Sequence, residues 1–169
     1  VQWGASWGDL VANAAGSGLA IGNELLWREQ RVQLKWSYYP SPLSYQYPRL
    51  LGSGADKIFK DYNGQTYWLC FRVPSFLPEA AQKKYPRWLN LAIGYGAEGM
   101  QGGYFKEPWE VIDAREYRQI YLSLDIDLSQ IKTRKPWLKF LLGSINLIKL
   151  PMPALRYDRN GFRAIPLHF

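Results

Sequence analysis

Residues 118–128 read Arg118-Gln119-Ile120-Tyr121-Leu122-Ser123-Leu124-Asp125-Ile126-Asp127-Leu128. Ile120, Leu122, Leu124, Ile126 and Leu128 alternate with Gln119, Tyr121, Ser123, Asp125 and Asp127. A period of two puts the first set on one face of a β-strand and the second on the other. The same alternation recurs in both directions along the chain. It runs through 31–39 (Val32, Leu34, Trp36, Tyr38), 65–73 (Tyr67, Leu69, Phe71, Val73) and 88–96 (Leu89, Leu91, Ile93, Tyr95). Two shorter runs, 154–158 and 161–169, flank Arg159-Asn160-Gly161, whose Asn-Gly pair is a hairpin turn signal. About six strands, mostly antiparallel, follow from this pattern.

Two helical stretches interrupt the strands. Residues 6–28 follow a period of 3.6, opened by Ser6 as N-cap with Asp9 three residues on. Asp9, Asn13, Gly16, Ser17, Ala20, Asn23 and Glu24 fall on one narrow face. Gly8, Ala12, Gly16 and Ala20 lie four apart, a spacing that lets another backbone come close. Such a helix is roughly 34 Å long, close to a bilayer core. It reads either as a buried helix of a soluble domain or as one that contacts a membrane or barrel. Residues 136–149 form a second, strongly apolar helix, opened by Pro136 and stopped by Pro151 and Pro153. Short helices are expected over 55–62 and 78–85, and a weakly patterned strand near 101–105.

A strand with one apolar and one polar face suits a soluble sheet over a core or a membrane sheet facing lipid. Three features favour the membrane. Aromatics (Trp36, Tyr38, Tyr39, Tyr67, Trp68, Trp88, Tyr95, Tyr117) sit near strand ends, as in interfacial girdles. The opposite faces carry small or charged residues, which suits a crowded polar interior. The chain ends in Phe169, with Leu167 and Ile165 on the same face, like the last strand of outer-membrane barrels. Against this, Pro166 removes a ladder donor, Arg163 breaks the apolar face, and six strands fall short of the usual minimum of about eight. The expected fold is mainly antiparallel β, a small outer-membrane-type barrel or strongly curved sheet of 6–8 strands, in a single domain spanning 1–169.

The chain has 169 residues, net charge +7 and 16 % aromatics, and these values exclude intrinsic disorder. The single Cys70 excludes a disulfide scaffold. The first residue is Val1, and a mature form or fragment lacking an upstream segment is expected.

Gly4-Ala5-Ser6-Trp7-Gly8-Asp9-Leu10-Val11-Ala12-Asn13-Ala14-Ala15-Gly16-Ser17 resembles the last motif of YfiM-like proteins, with Ser6, Trp7, Asp9, Asn13 and Gly16 in the motif's places. These are bacterial envelope proteins of unknown function, described as predicted periplasmic lipoproteins. Asp61–Leu69, Gly94–Gly99, Asp125–Leu128 and Pro151–Leu155 resemble the β-rich tail of its longer relatives. The family's earlier Asp-Lys-x-x-His helix has no counterpart here. The resemblance implies a location, the bacterial outer membrane or its periplasmic face, and no activity.

Gly94-Tyr95-Gly96-Ala97-Glu98-Gly99 matches a dinucleotide fingerprint, but no helix pattern follows it, so a tight or bulged strand end is expected. His168 is the only histidine and reads as a surface or interface side chain. Asp125 and Asp127 could pair with Arg118, Arg72, Arg156 or Arg163, or do acid–base work. Asp9, Asn13 and Glu24 on a largely apolar helix call for partners. The candidate polar cluster is therefore Asp9, Asn13, Glu24, Asp125, Asp127 and Arg118. Lys132, Arg134, Lys135 and Lys139 beside Trp137 resemble an interfacial helix meeting anionic headgroups, and Phe169 joins them as a membrane-interface residue. No RNP, KH or zinc signature accompanies the basic charge, so no nucleic-acid partner is expected. No cofactor, metal site or catalytic residue is indicated.

Three functions fit these residues. The first is an outer-membrane-associated envelope protein with a structural or accessory-subunit role, contacting outer-membrane lipid. In it, a protein partner or the upstream segment packs on helix 6–28. The second is an envelope enzyme acting on lipid or cell-wall fragments. The third is a soluble β-rich module binding a glycan or peptide.

Overall fold

The computed structural model describes residues 7–100 and 115–169. Ser6 and the strand expected near 101–105 lie outside them. Helix α1 (Trp7–Trp27) leads into β1 (Val32–Tyr38). Three short helices follow, α2 (Pro42–Gln46), α3 (Pro48–Leu51) and α4 (Lys57–Lys60). Pro42 and Pro48 each sit in a first helical turn, where the missing N–H costs nothing. Then come β2 (Gln65–Phe71), α5 (Glu79–Gln82), β3 (Leu89–Glu98) and β4 (Tyr117–Ile126). Helix α6 (Pro136–Ile145) precedes the hairpin of β5 (Met152–Asp158) and β6 (Gly161–His168).

The six strands form one sheet in the order β1 to β6, each antiparallel to its neighbour. The sheet curls tightly. His168 at the end of β6 packs on Trp68 of β2 and Tyr121 of β4, and Phe169 stacks on Tyr39 just past β1, with ring centroids 5.0 Å apart. It does not close into a barrel, which corrects that part of the expectation. The physical reason lies on β1. The Trp36 N–H donates to Leu147 O at 2.9 Å, and the Lys149 N–H donates to Trp36 O at 2.9 Å. Residues 147–149 thus lie parallel along the edge that β6 would need. For the same reason the second helix ends at Ile145 rather than 149.

The concave face holds a small apolar cluster of Trp68, Cys70, Ala92, Tyr121 and Ala154, with Ile165 against it. Trp68 is therefore a core residue and not part of a girdle. Gly94 lies opposite it, and a Cβ there would stand 2.6 Å from the indole. The Gly-rich motif thus serves close packing inside β3, as expected of a strand end without a helix. Burial pushes the Cys70 thiol pKa up, and the Asp125 carboxylate nearby adds to it.

One strand departs from its expected face. Ala154 pairs with Ile165 and Met152 with His168, so β6 carries one extra residue at this point. Pro166, which cannot donate to a ladder, falls inside the bulge. An extra residue inverts the alternation. Ile165 packs inward and His168 also turns inward, so Ile165, Leu167 and Phe169 do not share one outward face.

Candidate functional site: a polar interior under an apolar outer face

The register places side chains in rows across the sheet. Trp36, Tyr67, Tyr95, Ile120, Tyr157 and Phe162 form one row on the convex face. Leu34, Leu69, Ile93, Leu122 and Leu155 form the next, and Leu91 and Leu124 continue it below. The five residues of the middle row are each between 40 and 51 % exposed. In a sheet covering an ordinary core these are the residues that would be buried. Here they face outward in a continuous apolar band edged by aromatics.

Beside the apolar cluster, the concave face carries a buried polar group. Lys35 Nζ lies 2.8 Å from Asp125 Oδ2, with side chains 1 % and 0 % exposed. The same ammonium donates to Asn146 Oδ1 and to Ile126 O, both at 2.9 Å. Asn90 donates to Asp125 at 3.2 Å. Asp127, also fully buried, accepts from Gln33 and Asn146 at 3.1 Å and from Arg72 at 3.3 Å. Arg72 in turn faces Glu29 at 3.5 Å. Lys149 sits over the Trp68 ring, 4.3 Å from its centroid, and burial lowers its pKa. Each interior charge in this group meets an opposite charge, a ring or fixed dipoles. That is the condition under which buried ions are tolerated.

Of the expected polar cluster, the fold brings only Asp125 and Asp127 together. Arg118 is exposed on β4 and contacts neither. Asn13 and Glu24 are exposed on α1, and the Asp9 side chain lies outside the described residues. The helix residue that matters structurally is Asn23, 1 % exposed. It accepts from the Arg31 and Val32 N–H groups at 2.9 and 3.0 Å and donates to Leu19 O and Val32 O. It pins the helix end to the start of β1. Trp27 meets Phe76 edge-on at 5.9 Å. Beyond that, Trp7, Leu10, Val11, Ile21, Leu25 and Leu26 are exposed. Gly16, Leu19 and Ala20 line a cleft of about 510 Å³ shared with β1 and α6. Lys132, Arg134, Lys135, Trp137 and Lys139 are all exposed at the start of α6, beside the exposed Phe140.

Of the arginines that the sequence offered as partners for the two aspartates, Arg72 reaches Asp127, while Lys35, Gln33 and Asn146 were not singled out. Lys35 and Gln33 were visible on the polar side of 31–39, but their aspartate partners lie 90 and 94 residues away in sequence. Asn146 gave less signal still, as one polar residue inside an apolar helical stretch.

His168 corrects the surface reading. Its ring stacks on Tyr121 at 4.2 Å. Burial, then the charges of Lys149 and Arg156, push its pKa from 6.5 down to about 4. The folded protein thus takes up this proton less readily than the unfolded chain. The stability that depends on a neutral ring is present above about pH 6.5 and is lost as the pH falls toward 4. The ring is partly reached by solvent, so the effect is about 1–2 kcal/mol. Denaturant midpoints should fall from pH 7 to pH 4, and His168→Gln should flatten that slope by this amount. Superimposable pH profiles for the two proteins would remove His168 from the account.

Among the described residues no helix is long and apolar enough to cross a membrane, and no group of three or more His, Cys, Asp or Glu converges as a metal site. No family model, curated protein or solved structure matches the chain.

Proposed function

We propose that this is an outer-membrane-associated envelope protein of structural or accessory role, whose rolled sheet presents its convex face to lipid. The observation that carries this reading is the inversion of the sheet: ions and amides within, aliphatic and aromatic rows without. Lipid-facing sheets are built this way, with aromatic residues bordering the apolar band. β3 and β4, ten residues each, have the length of a tilted membrane-spanning strand. β1, β2 and β5 have seven and fall short of it, which favours seating in the membrane over a full crossing by every strand. The exposed α6, with its basic N-terminal end, suits an anionic headgroup layer. The resemblance of residues 4–17 to YfiM-like envelope proteins agrees with this location. The exposed faces of α1 and α6 leave room for a partner subunit. Asp125 and Asp127 are engaged by interior cations and sealed from solvent, which supports a structural role for them over acid–base chemistry.

The protein, expressed in a native envelope, should remain in the outer-membrane fraction after an alkaline carbonate wash and show a heat-dependent gel mobility. Release into the wash would overturn the lipid-facing reading.

A further inference from the structure

At the end of the sheet where β1, β3 and β5 finish, the concave face opens into a cleft of about 990 Å³. This is the upper end of the range for small-molecule sites. Its wall is cationic. Arg115, Arg156 and Arg159 line it, against Glu98. Arg156 is partly neutralised, with Nε 2.9 Å from Asp158 and a terminal nitrogen 4.0 Å from Glu98. No carboxylate among the described residues lies within ion-pair distance of Arg115 or Arg159. Arg159 is held by the Tyr117 ring, 4.4 Å from its centroid, and its guanidinium makes no hydrogen bond among the described residues. An anionic group is what such a fork recognises.

The remaining wall suits a ligand rich in hydroxyls with flat apolar faces. Among the described residues Glu98 receives Tyr117 Oη, Gln119 Nε2 and Arg156 all on Oε2, so Oε1 is the oxygen placed to accept a hydroxyl proton. The stacked Tyr39–Phe169 pair, also lining the cleft, offers a ring platform. The His168 ring, kept neutral, adds no charge to the floor. We propose that this cleft binds an anionic saccharide, its phosphate or carboxylate on Arg159 and Arg115 and its hydroxyls toward Glu98. The ligand is either a free sugar or the headgroup of a glycolipid.

The test is calorimetric titration of the full chain in detergent with glucose 1-phosphate, glucuronic acid, glucose and inorganic phosphate. Both anionic sugars should bind about tenfold more tightly than glucose or phosphate alone, as one charge-assisted contact implies. Arg159→Gln and Arg115→Gln, both at the surface, should each remove about that factor for the anionic sugars and leave glucose unchanged. Tighter binding of micelles carrying a phosphorylated-disaccharide lipid would assign the cleft to a headgroup, and equal binding would assign it to the free sugar. Anionic sugars that bind no better than glucose, phosphate that binds as well as sugar phosphate, or both variants binding like the parent would overturn the proposal. Because the titration is done in detergent, its failure leaves membrane retention untouched.

Discussion

Lys35→Met should destabilise the protein by about 3–5 kcal/mol, enough to unfold many domains. The substitution keeps length and removes the ammonium that Asp125, Asn146 and the Ile126 carbonyl all share. Asp125 is then a buried carboxylate left with the Asn90 amide and the Cys70 thiol beside it. That loss far exceeds the pair's net worth, because separating two buried partners leaves one charge without compensation. Lys35→Met combined with Asp125→Leu should therefore recover much of the stability, since an apolar pair of similar volume is often neutral. Equilibrium denaturation in detergent of the parent, both single variants and the double variant measures the coupling. A Lys35→Met protein within about 1 kcal/mol of the parent would mean that water reaches this pair and the interior is not closed.

Leu122→Arg should separate the lipid-facing sheet from an ordinary one. Leu122 sits in the middle of the aliphatic row and is 47 % exposed. On a sheet in water, a charge at so open a position shifts stability by about 0.5 kcal/mol or less. On a sheet against hydrocarbon, the same charge costs about 2–4 kcal/mol near the bilayer centre. The variant should thus keep the parent's denaturation midpoint in detergent and lose it on refolding into liposomes. Matching midpoints in both media would place the convex face outside the membrane.

The elements were legible because every strand pairs an apolar face with a polar one. Alternation in 31–39, 65–73, 88–96 and 118–128 locates β1 to β4 within a residue or two at most ends. Alternation is symmetric, however: it says that Leu122 and Ser123 face opposite ways, not which of them faces in. That choice depends on whether Lys35, Asp125, Asn146 and Asp127 can satisfy one another, a question of contacts far apart in sequence. The bulge in β6 had only Pro166 as a signal, so the inward turn of His168 was misread. Of the candidate site, the two aspartates were legible from spacing. Of their partners only Arg72 was named, and the basic cleft was not legible, since its arginines come from the start of β4 and the end of β5, far apart in sequence.

Residues 147–149, lying along β1, also set an order of events during synthesis. β1 and β2 are made and can pair early, but the flank of β1 stays bare until residue 149 emerges, more than a hundred residues later. Through that interval the nascent protein carries an uncovered strand edge next to a greasy convex surface, the combination most prone to cross-chain pairing. Shielding by a holding chaperone would matter most before α6 is complete. A chain cut short ahead of Asn146 would lack the piece that ends this exposure.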